Sequence, residues 1–273
     1  MLYAREFQRN LKVCQKCGHH ARITAAERID LLADPDTWQE LDAHLRPTDP
    51  IGFVRPGRES YAAKLAEEEQ SSGLPDAAVY GHAAMDQIPV VLAIVDYHFF
   101  AATMGTVVGE KIARAAETAR RQRQPLVAVA ASGGARQDEG IYALLQMAKT
   151  TAALARLAEA RLPFISILTD PTLAGVTASF ASQGDCIIAE PGAIVGFAGP
   201  RLIQQIMREK LPDDADTAEF QLAHGMVDMI TPRSSLKSVI TQTLRLYLDA
   251  LAAAESRPAV SGAPVVARAL VDA

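Results

Sequence analysis

Aromatic residues make up only 5% of this 273-residue chain, and cysteine appears three times. With so few rings and so much alanine, the composition favours helices packed closely on a sheet over an aromatic-rich binding surface. Three cysteines, an odd and low count, suit a reducing compartment rather than a disulfide framework. Basic residues are not in excess: the net charge is −5, the wrong sign for a general nucleic-acid binder. The one basic run, Arg120-Arg121-Gln122-Arg123, reads as a solvated helix end, where cations favour the dipole. No stretch approaches the ~20 apolar residues that cross a bilayer, and Met1 to Lys12 is too polar and charged for a secretory signal. The expected setting is the cytoplasm, without membrane or nucleic acid. Missing too are a P-loop, a Gly-x-Gly-x-x-Gly turn, a zinc-hydrolase His-Glu pair and a Gly-x-Ser-x-Gly elbow. Ser132 and Ser179 have no neighbouring base in sequence, and His98 and His224 stand alone as structural or surface residues. An enzyme without these devices is left with catalysis by its backbone.

What is present is a two-part pattern. Residues 1–22 form a short polar start containing Cys14-Gln15-Lys16-Cys17-Gly18-His19-His20, and residues 23–75 read as helical turns and loops punctuated by Pro35, Pro47, Pro50, Pro56 and Pro75. Within them, Glu67-Glu68-Glu69 reads as a solvated helix face. From residue 78 on, strand-length apolar runs alternate with helical patterns. Val90–Val95, Leu126–Ala130, Phe164–Leu168 and Cys186–Ala189 are the buried strands. Val108, Ile112, Ala115, Ala116 and Ala119 share one helix face; Leu144, Leu145, Ala148, Ala152 and Leu157 define the apolar face of a longer helix. Residues 234–253 form a terminal helix and 255–273 a tail. The alternation indicates βα units in one α/β domain.

Three Gly-rich turns follow these strands. Ala131-Ser132-Gly133-Gly134-Ala135-Arg136 lies between a strand and a helix starting near Gly140, where backbone N–H groups can face an oxyanion. Asp170-Pro171-Thr172-Leu173-Ala174-Gly175-Val176 precedes a short helix at Thr177–Phe180, so Gly175 and Val176 could offer N–H groups to a second anion. Gly196-Phe197-Ala198-Gly199-Pro200-Arg201 precedes a helix at 201–210. Taken alone, Gly-Gly after a strand reads more readily as an ordinary βα turn, and the Gly196–Arg201 turn reads as well as a plain helix entry as it does as a site wall.

Carried on these residues is a resemblance. From about Leu2 to about Leu248 the chain resembles the carboxyltransferase β subunits of bacterial acetyl-CoA carboxylase. The matching runs include Cys14-x-x-Cys17-x-His19-His20, Val107-Val108-Gly109-Glu110-Lys111, Ser132-Gly133-Gly134-Ala135-Arg136, Gln146-Met147-Ala148-Lys149-Thr150 and Leu168-Thr169-Asp170-Pro171-Thr172. Ile188-Ala189-Glu190-Pro191, Gly196-Phe197-Ala198-Gly199-Pro200-Arg201 and Arg208-Glu209-Lys210-Leu211-Pro212 continue it. The resemblance implies a crotonase-like ββα spiral over 23–254, with 1–22 as a half zinc-ribbon remnant. It implies an α-type partner subunit or self-association, an acyl-CoA or acyl carrier protein thioester as substrate, and biotin delivered on a biotin carboxyl carrier protein. Gly133, Gly134, Gly175 and Val176 take the oxyanion role; Ser132, Ala135, Arg136, Met104, Gly105, Phe197 and Arg201 line the substrate.

The chain also departs from that pattern. Of a four-Cys zinc ribbon only Cys14 and Cys17 are present, which leaves a tetrahedral zinc site incomplete. Cys186 falls in a buried strand. The family's Met-Gly-Gly-Ser-Met-Gly stretch reads Phe100-Ala101-Ala102-Thr103-Met104-Gly105, its Gly-Gly-Val loop reads Ala174-Gly175-Val176, and its Arg-Met-Gln-Glu reads Arg136-Gln137-Asp138-Glu139. Lost glycines can narrow a pocket or reshape a loop. Two other functions are therefore compatible: a biotin-independent decarboxylase of malonyl-type thioesters, and a non-catalytic carboxylase-like subunit.

Overall fold

The central strands carry almost no polar side chains, and the reason is topological. In the computed structural model, which describes residues 4–54, 56–57, 59–198, 204–205, 208, 212 and 214–255, eight strands form one sheet in the order β1-β2-β3-β4-β5-β6-β8, with β7 paired to β5. β1 (Gln39–Leu41), β2 (Ala78–Met85) and β3 (Ile88–Val95) pair antiparallel. From β3 the pairing turns parallel through β4 (Leu126–Ser132), β5 (Phe164–Leu173), β6 (Cys186–Ala189) and β8 (Met229–Ile230), while β7 (Val195–Gly196) joins the far end of β5. Parallel strands covered on both faces read as continuous apolar runs, which is why β3 to β6 were legible. β1 and β2 lie inside or just after the segment read as turns and were not.

Successive residues of each strand serve opposite layers. Val91, Ala93, Ala128 and Ala130 meet α4 (Thr106–Gln122) and α5 (Ile141–Glu159); Leu92, Ile94, Val127, Val129, Ile165 and Ile167 meet α2 (Ala25–Leu32) and α8 (Leu236–Glu255). The expected stripe Val108, Ile112, Ala115, Ala116 and Ala119 is the buried face of α4, and the basic run closes that helix. α1 (Ala4–Arg9) precedes the Cys14–His20 turn, and α2 opens with a Thr24–Glu27 capping box.

α5 corrects the reading of its face. Leu144, Leu145, Ala148 and Ala152 are exposed, and only Leu157 of the expected stripe is buried. The packed face consists of Ala143, Gln146, Thr150, Ala153, Leu154 and Leu157. Small and polar residues win that side because α4 comes very close: a Cβ on Gly109 would lie 2.4 Å from Gln146 Oε1. The more apolar side, with Ile141 and Tyr142 added, faces outward.

The described part of the N-terminal segment, residues 4–22, is sewn to the sheet rather than set apart. Arg233 Nη1 donates to Leu11 O at 2.6 Å, Lys12 pairs with Glu27, and the Arg233 backbone N–H donates to His20 Nε2 at 3.3 Å. α3 (Tyr61–Ser72) is also tied in, because Glu68 Oε2 accepts the Phe100 N–H at 3.0 Å rather than simply facing water. The expected helix at 201–210 and the tail at 255–273 fall outside the described residues, apart from Gln204, Gln205 and Arg208 and the last residue of α8, Glu255. Among the described residues, no helix is long and apolar enough to cross a membrane.

Candidate functional site

β4 and β5 deliver two loops to the same, C-terminal, edge of the parallel strands, where open α/β sheets bind ligands. The register shifts between Ala130 and Ser132, so Ser132 comes to face Thr172. Thr169 Oγ1 holds the shift by donating to Ala130 O at 2.8 Å, and Thr172 Oγ1 donates to Thr169 O at 2.8 Å.

The loop after β4 leans on the segment after β3. Gly133 N–H donates to Ala101 O at 2.9 Å, Met104 N–H to Gly134 O at 2.8 Å and Arg136 N–H to Met104 O at 3.0 Å. Gly134 N–H is taken by Ser132 Oγ at 2.9 Å, while that hydroxyl donates to Ala102 O at 2.8 Å. The donors expected at Gly133 and Gly134 are thus spent inside the loop. Gly134 is still needed, because its φ is +119 and a Cβ there would sit 3.2 Å from the Ala174 methyl. Ala135 lies between the two ladder bonds with Met104, and its N–H has no acceptor among the described residues.

The loop after β5 supplies the rest. Its helix, α6 (Ala174–Thr177), begins three residues earlier than the sequence suggested. The first N–H groups of a helix have no intrahelical acceptor, so Gly175 and Val176 present theirs at the N-terminus of α6. Ser179 Oγ caps the turn from behind, donating to Gly175 O at 2.6 Å. The two loops touch: the Cβ position of Gly175 is 3.8 Å from Ala135 Cβ and 3.4 Å from Met147 Sδ. Among the described residues, the N–H groups of Ala135, Gly175 and Val176 have no acceptor, and the two loops that carry them meet at one strand edge.

The alanines that stand in place of glycines keep a glycine-like backbone. Ala101, Ala102 and Ala174 each have φ of +52, and Phe100 has +51. The loops retain left-handed turns at some cost in strain.

Arg136 is corrected from substrate contact to strut. It is fully buried, and every guanidinium nitrogen has an acceptor: Nη1 bonds Asp76 Oδ2 at 2.6 Å, Nη2 bonds Thr103 O at 2.9 Å and Nε bonds Thr103 Oγ1 at 3.2 Å. Burial works against its charge, but Asp76 outweighs burial and raises its pKa. Glu139 completes the knot by accepting from Tyr61 Oη at 2.7 Å and from the Thr106 N–H at 2.6 Å, where the N-terminus of α4 welcomes a carboxylate. Burial, with Glu139 adding to it, pushes the Tyr61 phenol pKa up. Asp76, Tyr61 and Glu139 had no sequence signal beyond the spacing of Glu139 from Arg136.

Three other expected substrate residues prove structural. Ser132 is buried and fully bonded; Met104 is buried with its backbone in the ladder; Gly105 makes room for Glu139, whose Oε1 would lie 2.5 Å from a Cβ there. Phe197 is 68% exposed, free to serve as a wall. Arg201 lies outside the described residues. His98 is not isolated: its Nδ1 meets Asp96 Oδ1 at 2.7 Å. Cys186 is buried in β6, its thiol pushed up to about 11, first of all by burial.

Cys14 and Cys17 occupy a tight turn closed by Gly18 N–H to Cys14 O at 2.8 Å and Cys14 N–H to His19 O at 2.8 Å. Backbone N–H groups of Cys17 and Lys16 lower the Cys14 thiol pKa. His20 cannot join them as a ligand, because it is buried, with Nδ1 on Gly18 O and Nε2 on the Arg233 N–H. Among the described residues, no three His, Cys, Asp or Glu side chains are placed to hold a metal ion, so a tetrahedral zinc does not fit this donor set.

Comparisons with known proteins bear on this geometry. Residues 18–221 match the carboxyl transferase domain. The chain is 52% identical over 247 residues to the acetyl-coenzyme A carboxylase carboxyl transferase subunit beta of Chloroflexus aurantiacus, covering 90% of this chain and 80% of that one. It is likewise 52% identical over 247 residues to the same subunit of Desulforudis audaxviator, covering 90% and 88%. Among solved structures, a transcarboxylase 12S core with methylmalonyl-coenzyme A bound superposes with a TM-score of 0.69 at 23% identity, over 82% of this chain but 41% of that one. A single-chain, multi-domain long-chain acyl-CoA carboxylase gives a TM-score of 0.66 at 27% identity, over 89% of this chain and 25% of that one. The fold shared with these structures is the mixed α/β arrangement of carboxyltransferases.

Proposed function

Since the chain belongs to the carboxyl transferase family, among the β subunits of acetyl-CoA carboxylase, we propose that it moves a carboxyl group between carboxybiotin and acetyl-CoA to give malonyl-CoA, in the cytoplasm and beside an α-type subunit. The observation that carries the mechanism is the meeting of three free N–H donors at Ala135, Gly175 and Val176. Removing a proton from an acetyl thioester puts negative charge on the thioester oxygen. Preorganised donors stabilise that charge by ~3–4 kcal/mol each without reorganising during the step. Neutral backbone donors act on the developing enolate more than on the ground-state carbonyl, which favours turnover over simple binding.

Biotin on its carrier protein would supply the carboxyl group and, with CO₂ released from it, a ureido nitrogen able to act as base. The left-handed backbone of Ala101, Ala102 and Ala174 keeps the loop course a glycine would give, which supports a biotin ring being received here. Ala101, Ala102 and Ala174, on the rim of the N–H cluster, would be the residues beside it. No side-chain nucleophile enters: Ser132 is buried and committed to Ala102 O and the Gly134 N–H.

The partner is supported by α5, whose outward side carries Ile141, Tyr142, Leu144 and Leu145 at 42–60% exposure. A contiguous apolar stripe of this kind marks a protein interface. The fold is read as a ββα spiral over 23–254, with the Cys14–Cys17 turn as the remnant of a metal knuckle.

Incubating the purified chain with malonyl-CoA, with and without biocytin and an α-type subunit, tests the reading by mass spectrometry. Acetyl-CoA that appears only with biocytin and partner supports it. Acetyl-CoA from the chain alone makes it a biotin-independent decarboxylase, and no product under any condition makes it a non-catalytic subunit.

A further inference from the structure

Away from the N–H cluster, a cavity of about 20 Å³ is walled by Val95, Ala131 and Thr169 at the strand ends and by Arg28, Glu190 and Arg233. That volume holds one water-sized particle. Its lining is unbalanced in charge. Arg22, Arg28 and Arg233 face two carboxylates, Asp170 and Glu190. Of the two other titratable groups, Tyr97 lies with its ring under the Arg22 guanidinium, and His20 is neutral, because its Nε2 accepts the Arg233 N–H. One positive charge is left over.

The excess falls on Arg28. Glu190 is shared: Oε1 takes Arg28 Nη1 at 2.5 Å and Arg233 Nε at 2.9 Å, and Oε2 takes Arg233 Nη2 at 2.7 Å. Arg233 spends its Nη1 on Leu11 O. Arg28 has only the single bond to Glu190; its Nε and Nη2 have no acceptor among the described residues, although its side chain is only 5% exposed. Burial lowers its pKa and Glu190 does not make up the loss. A largely buried cation whose remaining donors have only this cavity to face is costly. Water would satisfy its hydrogen bonds and leave its charge; a monoanion satisfies both.

We propose that this cavity binds a halide-sized monovalent anion on the Nε–Nη2 edge of Arg28. The ion completes the clamp that holds residues 11–28 to the ends of β3, β4 and β5. It is a structural ligand, separate from the N–H cluster.

Bromide is the probe. Crystals of the whole chain soaked in bromide should show an anomalous peak at the Nε–Nη2 edge of Arg28. In solution, the unfolding midpoint should rise saturably by about 3 °C or more when gluconate is replaced by chloride at constant ionic strength. Arg28→Met should abolish that rise. Ordinary water density at this edge without anomalous signal overturns the proposal, as does an identical wild-type midpoint in gluconate and chloride. The wild-type measurements stand even if the variant does not fold.

Discussion

Arg136 and Arg28 are both buried near the C-terminal edge of the sheet, but their surroundings differ. Arg136 has an acceptor on every nitrogen and two carboxylates, Asp76 and Glu139, within reach. Arg28 has one bond and half of one carboxylate, because Glu190 also serves Arg233. The saturated arginine ties together Thr103, Tyr61 and the start of α4, the elements on which the Gly133–Arg136 loop leans. The under-served arginine ties the N-terminal turn to the sheet. Where atoms must be held to a fraction of an ångström the chain completes its polar network; where it only fastens a segment, it leaves a charge for something else to complete.

Breaking the saturated side should cost most. Asp76→Asn removes the charge facing Arg136 and is expected to lower stability by ~3–5 kcal/mol, read as a shift in the urea midpoint, with turnover falling as the Thr103–Gly105 segment loses its anchor. A loss under half a kilocalorie per mole would show the comparison to be misplaced. Next comes a change in the donors that the knot supports. Gly175→Val should cut turnover ~100-fold or more while changing KM less; near-normal turnover in a folded variant would remove Gly175 from the site. Gly134→Val is the poorer test, since at φ +119 it strains the loop directly.

On the other side, Glu190 is held down to about 2 by Arg28 and Arg233 against the effect of burial. A depressed carboxylate contributes stability above its unfolded pKa, near 4.3, and loses it as pH falls toward 2. The loss should be on the order of 3 kcal/mol. Unfolding midpoints measured across that window should fall, and Glu190→Gln should flatten the slope without lowering kcat at neutral pH. The smallest effect belongs to the strained turn: Ala174→Gly should raise stability by ~1 kcal/mol or less, measurable by calorimetry. A decrease there would mean that the left-handed methyl is well accommodated.

Much of this was legible in the sequence for a physical reason. Strands buried on both faces must be apolar throughout, so β3 to β6 announced themselves, and the turns after β4 and β5 were recognisable as loops leaving the same strand edge. Less legible was which atoms of those turns are free. Gly133 and Gly134 look like donors because they are glycines, but donor capacity is lost to Ala101 O and Ser132 Oγ, partners set by long-range contact. Arg136 looked like a ligand-binding cation because Asp76, sixty residues upstream, carries no local mark. α5 misled because hydrophobicity alone cannot tell which side of a helix is packed: its buried side mixes alanine, glutamine and threonine with Leu154 and Leu157, while Ile141, Leu144 and Leu145 face outward.

On the pairing proposed above, that outward side has a cost in the cell as well as a use in assembly. A copy of the chain made without its partner displays Ile141, Tyr142, Leu144 and Leu145 to every other unpaired copy and to chaperones and proteases. The rate of loss of surplus copies then depends on how quickly each meets a partner after synthesis, so balanced translation of the two subunits would set how much of the assembly accumulates. Pulse-labelled chain should therefore decay faster when the partner's synthesis is throttled, and Leu145→Gln should slow that decay even as it weakens pairing.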